Sequence, residues 1–322
     1  MNVTRRRFLR DSVLTGMSLA MGCRASTEPG TQAPLFVPTS DRTVVRTLAG
    51  VPATDGAGVK LTRVIHQPAL RHLDPFLMLD RFHSNDANAY IAGFPDHPHR
   101  GFETVTVMMD GRMRHRDSRG NSGLIQGRGA QWMTAGRGII HSEMPEQEAG
   151  LMSGFQLWIN LPAQEKMCPP YYQDLQPGRL AEAKLSSAGS QLRVIAGSPQ
   201  GLSGPVRDRP TQPTLLTLAL EDDQPFELEL PEAHVAFAFV HGGQVHVGPG
   251  DKASAVREGQ LALLGPGKRL RLQARDRRSA VLVAAAKPLH EPIVQHGPFV
   301  MNTEAEIRQA IADYQRGVLD RI

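Results

Sequence analysis

Short β-rich runs closed by turn residues recur along most of this 322-residue chain, and they constrain its fold more than any other feature. From Thr43 onward the runs TVVRTLAG, VKLTRVIH, FETVTVMMDG and SGFQLWINLP are each followed or closed by glycine, proline or aspartate. Turn signals about every ten residues are typical of an all-β sandwich or barrel. The spacing leaves no room for the helices of an alternating α/β fold.

A proline-rich break divides these runs into two series. CPPYYQDLQPG, at residues 168–178, is followed by a second set that includes QLRVIAG, TLLTLAL and AVLVAAAKP. Within that set FVHGGQVHVG predicts a hairpin through Gly242 and Gly243. We therefore predict one β-domain at residues 42–170, a second at 171–290, and a C-terminal extension with a helix at 291–322.

The one clear helical signal is MNTEAEIRQAIADYQRGVL, close to the C-terminus. Thr303 and Glu306 have the spacing of a capping box, and Gly317 stands where a helix would end. Apolar residues recur on one face, at Ile307, Ala310, Ile311 and Tyr314. This stripe predicts a helix that packs against a barrel.

The N-terminal stretch TRRRFLRDSVLTGMSLAMGC resembles a bacterial twin-arginine export signal, with paired arginines at Arg5 and Arg6. The apolar run from Val13 to Met21 is too short to span a bilayer. We predict an export signal at residues 1–25, a Pro/Ser/Thr-rich tether at 26–41 and a periplasmic protein. A membrane contact is expected only if Cys23 is lipidated.

Net charge and cysteine content argue against a nucleic-acid partner and against an intramolecular disulfide. The formal charge of +4 falls to about +1 without residues 1–22, which hold four arginines and one aspartate. No Lys/Arg stripe interleaved with aromatic residues remains, so we expect no nucleic-acid partner. With Cys23 cleaved off or lipidated, Cys168 is left alone and no intramolecular disulfide is expected. We expect a monomer, with any protein partner unknown.

Two histidine pairs suggest a metal site. His97 and His99 stand two residues apart in DHPHRGFE, and alternate side chains of an extended strand point to one face. Further on, GRGIIHSE holds His141 and Glu143 with the same spacing. Three imidazoles and a carboxylate suit a first-row transition metal with open positions for O₂ chemistry. A single such pair is more often explained by surface or hydrogen-bonded histidines, so the prediction of a metal site depends on both pairs.

Longer stretches resemble the signatures of the pirin family, a branch of the two-domain cupins. They are GFPDHPHRGFETVTVMMDG, HRDSRGNSGLIQGRGAQWMTAGRGIIHSE and FQLWINLP, and the resemblance runs from about residue 43 to the end. It implies a bicupin of two stacked antiparallel β-barrels of jelly-roll type, with a C-terminal helix. It further implies a mononuclear iron in the first barrel, held by His97, His99, His141 and Glu143, and no metal in the second.

Two glutamates are candidates for the carboxylate ligand of the metal. The wider cupin pattern H-x-H-x₃-E fits Glu103 as the ligand, whereas the pirin resemblance assigns Glu143 and leaves Glu103 beside the ligands or in strand pairing. Strand alternation puts Gln156 on the same face as Trp158, and this face is either the pocket or a polar barrel surface. We expect HRDS, at residues 115–118, to be a solvated strand end with a salt-bridged Asp117.

Several bacterial and mammalian pirins are associated with quercetin 2,3-dioxygenase activity. The resemblance therefore implies Fe(II), with Mn, Co, Ni or Cu as alternatives, a small aromatic or flavonol substrate, and Glu143 as the catalytic base. Two other functions stay open. One is a non-catalytic iron-binding redox sensor or protein-binding module in the cell envelope, and the other is a metal-dependent oxygenase or isomerase for a different phenolic or enolisable compound.

Overall fold

The computed structural model describes residues 40–275 and 278–321. The predicted export signal and nearly all of the predicted tether lie outside these residues. The first strands in chain order are β1 (Val44–Ala49), β2 (Val51–Asp55), β3 (Val59–Ile65), β4 (Phe76–Ser84), β5 (Phe94–His99), β6 (Phe102–Asp110), β7 (Arg112–Asp117), β8 (Ser122–Gln126), β9 (Ala130–Thr134), β10 (Ile139–Pro145), β11 (Met152–Asn160) and β12 (Tyr171–Leu175).

The remaining strands are β13 (Ala181–Lys184), β14 (Gln191–Ala196), β15 (Thr214–Leu220), β16 (Phe226–Glu229), β17 (Val235–Gly242), β18 (Gln244–Val247), β19 (Ser254–Arg257), β20 (Gln260–Leu264), β21 (Arg269–Ala274), β22 (Ser279–Ala286), β23 (Val294–His296) and β24 (Phe299–Met301). The described residues contain one α-helix, α1 (Glu304–Gln315). Short 3₁₀ turns lie at Ala87–Ala89, Ala163–Glu165, Pro177–Arg179, Pro199–Gly201 and Gly250–Lys252.

Each barrel combines a seven-stranded and a four-stranded antiparallel sheet. The first barrel has the strand orders β12-β9-β6-β11-β4-β3-β2 and β5-β10-β7-β8. The second has β1-β20-β17-β22-β15-β14-β13 and β16-β21-β18-β19. The prediction of an all-β chain of two antiparallel barrels with a C-terminal helix is thereby confirmed.

Strand pairing crosses the predicted domain boundaries in two places. β1, near the start of the described chain, pairs with β20 of the second barrel. β12 lies beyond residue 170 yet pairs with β9 of the first barrel. Each barrel therefore has an edge strand supplied from the other side of the predicted boundary, and the described residues from Ser40 onward belong to one compact unit.

The alternation of side chains along β17 explains how the barrels share a core. Phe237 and Phe239 point into a buried cluster with Phe76 and Phe155 of the first barrel, and the rings of Phe76 and Phe237 meet edge to face at 5.0 Å. The intervening alanines and Val240 fill the interior of the second barrel. A strand buried on both faces reads as a continuous apolar run, as VAFAFV does.

The predicted hairpin in FVHGGQVHVG is wrong. β17 pairs with β20 and β22, whereas β18 pairs with β19 and β21 in the other sheet of the barrel. Gly243, with φ of +68°, turns the corner between the sheets. The two glycines do reverse the chain, but a turn signal does not reveal that the chain moves from one sheet to the other.

The C-terminal helix forms as predicted. The Thr303 hydroxyl accepts from the backbone N–H of Glu306, whose carboxylate accepts from the backbone N–H of Thr303. Ile307 and Ala310 are buried against Phe299 and other residues next to the first barrel. No helix among residues 40–275 and 278–321 has both the length and the apolar content to cross a membrane.

Candidate metal centre

Three imidazoles converge inside the first barrel. β5 and β10 pair antiparallel, which sets His97 directly opposite His141, while His99 lies two residues along on the same face. One ring nitrogen from each of the three lies within 4.8 Å of the others. The structure thus brings together the three histidines that the sequence singled out.

Hydrogen bonds on the far side of each ring select the nitrogen that faces inward. Nδ1 of His97 is 2.8 Å from the carbonyl oxygen of Pro95, and Nδ1 of His99 is 3.3 Å from that of Pro298. A carbonyl can only accept, so each Nδ1 carries the proton and each Nε2 keeps its lone pair. Nε2 of His141 is buried without a hydrogen-bond partner. An orphaned buried nitrogen beside two others fits a metal ion.

Burial keeps two of these rings neutral. It is the main reason that the pKa of His99 lies well below its ordinary value, with the neighbouring His97 adding to the effect. Burial likewise places the pKa of His141 well below the ordinary value, and His99 and His97 lower it further. Neutral imidazole is the form that coordinates a metal, so the surroundings hold these side chains ready to bind one.

Glu143 lies in the same cavity but outside the three-histidine cluster. Its carboxylate accepts from the hydroxyl of Thr106 at 2.7 Å and from the side-chain amide of Gln156 at 3.3 Å. Thr106 and Gln156 are also within hydrogen-bond distance of each other. Of the two positions left open for Gln156, the structure shows the one in the cavity. The role of Glu143 as fourth ligand stays a prediction.

Glu103 is turned away from the histidines, so of the two positions left open for it the structure shows the one in strand pairing and not the one beside the ligands. On β6 it alternates with Thr106, and it is fully buried on the opposite face. It accepts from the indole N–H of Trp132 at 3.0 Å and from the Thr134 hydroxyl at 2.7 Å, with Arg209 at 3.5 Å. Burial raises the pKa of Glu103 despite these bonds. The spacing H-x-H-x₃-E is therefore present without its carboxylate meeting the imidazoles.

His115 and Asp117 are not the solvated strand end that the sequence suggested. Both side chains are fully buried, and Nε2 of His115 lies 3.1 Å from Oδ2 of Asp117. Nδ1 of His115 faces Nδ1 of His141 at 3.4 Å. Strand pairing explains the error, because β7 lies beside β10 inside the four-stranded sheet. The H-x-D spacing on a strand was the available signal, but it does not reveal which face is covered.

A cavity of about 680 Å³ opens beside the candidate metal site. His97, His99, Glu143 and Gln156 contribute polar groups to its wall. Apolar side chains form much of the remainder, namely Leu61, Met78, Phe82, Phe94, Met113 and Trp158. A largely apolar wall with a few convergent polar groups is the usual make-up of a small-molecule site.

The C-terminal extension supports the loop that carries His99. The guanidinium of Arg100 donates to Asp313 of α1 at 2.7 Å, in a fully buried ion pair. Gly101 has φ of +89°, and a Cβ there would stand 2.0 Å from the carbonyl oxygen of Val300. The buried ammonium of Lys166 donates to the carbonyl oxygens of Gly101 and Val300. Burial lowers the pKa of Lys166 to about 8.

Two antiparallel barrels, with three imidazoles gathered in the first, define a two-domain cupin with a candidate metal centre. The family model for Pirin matches residues 58–159, and that for the Pirin C-terminal cupin domain matches residues 215–320. The chain belongs to the pirin family.

Similar proteins cover most of this chain. A Pseudomonas aeruginosa protein named "Putative quercetin 2,3-dioxygenase" is 48% identical over 282 residues, covering 86% of this chain and 98% of the relative. Human pirin is 40% identical over 265 residues, covering 81% and 88%. The crystal structure of quercetin 2,3-dioxygenase from Acinetobacter baumannii superposes with a TM-score of 0.79 at 33% identity, covering 86% and 98%.

Proposed function

We propose that this protein is a metal-dependent dioxygenase of the quercetin 2,3-dioxygenase type, which opens a flavonol or related phenolic substrate with O₂. The observation that carries the proposal is a cavity whose wall joins His97, His99 and a carboxylate to an apolar, partly aromatic surface, with His141 gathered against those two histidines. The names of the Pseudomonas relative and of the Acinetobacter structure support it. The fold alone would not support this proposal, because cupin barrels host many functions.

The metal would be held by His97, His99 and His141, with Glu143 as the proposed fourth ligand. Fe(II) is our first choice, and Mn, Co, Ni or Cu also suit this donor set. When bound, such an ion offers open positions for a substrate oxygen and for O₂. The structure gives a reason for neutral histidine ligands, namely their burial and their hydrogen-bonded Nδ1 atoms.

Glu143 is also the proposed catalytic base. Its two hydrogen bonds, from Thr106 and Gln156, hold the carboxylate within the cavity wall. A flavonol must lose the proton of its 3-hydroxyl group before its ring can react with O₂, and a carboxylate in hydrogen-bond reach can take that proton. Gln156 would then orient the carboxylate, and its amide could bind a substrate oxygen.

The test is anaerobic purification, reconstitution with Fe(II), and aerobic assay with quercetin. We expect loss of the flavonol absorption band with release of carbon monoxide, and no turnover in metal-free protein. One equivalent of tightly bound metal without turnover of any flavonol would reject the dioxygenase. It would favour an envelope redox sensor or protein-binding module, or an enzyme for another phenolic compound.

Replacing Glu143 or Glu103 with glutamine distinguishes the roles of the two carboxylates. Glu143→Gln is expected to weaken metal binding and to lower kcat by about 10²- to 10⁴-fold, because it removes both a charged ligand and the base. Glu103→Gln is expected to keep the metal, because that carboxylate faces Trp132 and Thr134. Metal content by mass spectrometry and kcat with quercetin measure both effects. The reverse pattern would make Glu103 the ligand.

We also propose that the protein is exported by the twin-arginine route. The support is the motif at Arg5 and Arg6, in the part of the chain outside the described residues. Fractionation of cells expressing the wild type and the Arg5→Lys/Arg6→Lys variant tests this. Equal amounts of both in the periplasm would contradict it.

A further inference from the structure

His115 is a buried titratable side chain that the proposed function does not use. It is completely buried, and its ring stacks on that of Tyr172 with 4.6 Å between centroids and 23° between planes. One nitrogen faces Asp117 and the other faces His141. A histidine placed for packing alone would not need a polar partner on each nitrogen.

Asp117, His115 and His141 form a chain of hydrogen bonds, and the contacts of the Asp117 carboxylate determine which atoms in it donate and which accept. Its Oδ1 accepts from the backbone N–H groups of Arg119 and Asn121, at 2.9 Å and 3.0 Å. Its Oδ2 accepts from the side-chain amide of Asn121 at 2.9 Å and faces Nε2 of His115. A carboxylate that already accepts three N–H groups presents an accepting oxygen to His115.

An accepting carboxylate fixes both rings in turn. His115 must place its proton on Nε2, which leaves Nδ1 of a neutral ring as an acceptor. That acceptor faces Nδ1 of His141 at 3.4 Å, so His141 places its own proton on Nδ1. Nε2 of His141 is then left with a free lone pair, and it is the nitrogen without a partner.

We propose that His115 and Asp117 are positioning residues that fix the tautomer and orientation of His141 for metal coordination. His97 and His99 obtain the same tautomer from backbone carbonyls, whereas His141 depends on two side chains. Such partners of ligand histidines typically change metal affinity about 10- to 100-fold when removed. The inference rests on the metal-binding half of the proposed function and not on flavonol turnover.

Asp117→Asn is the sharpest variant, because it keeps the shape and reverses the hydrogen bonds. The Asn Oδ1 would stay with the two backbone N–H groups, which turns its amide N–H toward Nε2 of His115. His115 would then donate from Nδ1, and His141 would have to protonate Nε2, the nitrogen meant for the metal. We expect Ni(II) affinity, measured by chelator competition, to fall about 10- to 100-fold.

Two further variants separate positioning from packing. His115→Gln offers an amide oxygen to His141 and an N–H to Asp117, so Ni(II) affinity should stay close to that of the wild type. Asp110→Asn, at an exposed turn beside the neighbouring strand, is the matched control and should change nothing. Wild-type affinity in folded Asp117→Asn would overturn the proposal, as would a loss in His115→Gln as large as that in Asp117→Asn.

Nitrogen NMR of the metal-free wild type tests the tautomer without any variant. Imidazole ¹⁵N shifts should show His141 protonated at Nδ1 and His115 protonated at Nε2. A His141 ring protonated at Nε2, or a mixture of tautomers, would overturn the proposal. If the wild type binds no Ni(II), Fe(II) or Co(II), the proposed function fails. If it binds metal with the other tautomer, only the present inference fails.

Discussion

Alanine at His141 is expected to lower metal affinity by more than about 100-fold, beyond the loss typical of an outer partner. The variant removes one of three imidazole nitrogens that lie within 4.8 Å of one another, and the side chain it removes is 1% exposed. Two nitrogens from one strand, His97 and His99, would remain. Metal analysis after purification and chelator competition with the reconstituted protein measure the change.

The variant should keep its fold. The hydrophobic core that the two barrels share is built on strands of the two seven-stranded sheets, whereas His141 lies on β10 of a four-stranded sheet. His246→Ala is the matched control: that histidine belongs to β18 in the second barrel and contacts Arg275. It should retain full metal and wild-type kcat. Stoichiometric metal with unchanged affinity in a folded His141→Ala protein would reject the ligand assignment.

Asp313→Ala is expected to reduce the free energy of unfolding by about 3–5 kcal/mol. The substitution removes the carboxylate that pairs with Arg100 and leaves that guanidinium, which is 1% exposed, without its counterion. Because Arg100 directly follows His99, we also expect weaker metal binding. Urea unfolding of the metal-free protein measures the first effect, and chelator competition measures the second.

Helix α1 offers its own control for this prediction. Glu304 and Arg308 form an exposed ion pair one turn apart, so Glu304→Ala should cost no more than about 0.5 kcal/mol. The double variant Arg100→Met/Asp313→Leu removes both buried charges and should recover most of the lost stability. A loss below about 1 kcal/mol in Asp313→Ala would show that Arg100 finds another partner or water.

The candidate site was predictable to the extent that it depends on strand alternation. His97 with His99, and His141 with Glu143, stand at spacings that place each pair on one face, and the structure gathers the three imidazoles. The same rule did not reveal that Glu103 lies on the opposite face, because the bend between β5 and β6 at Gly101 separates it from the histidines. Strand alternation also does not indicate which strand ends are buried by their neighbours. The prediction that HRDS is a solvated strand end was therefore wrong.

By itself the sequence determined the all-β character, the two barrels and the capped C-terminal helix, since turn spacing, side-chain alternation and capping are local properties of the chain. Tertiary structure alone decided that β1 and β12 pair with the barrel on the other side of the predicted boundary. It also decided that His115 and Asp117 stand behind His141, and that Arg100 is paired with Asp313. Such contacts join residues 26 and 213 positions apart, as for His115 with His141 and Arg100 with Asp313. Only packing of the completed barrels brings them together.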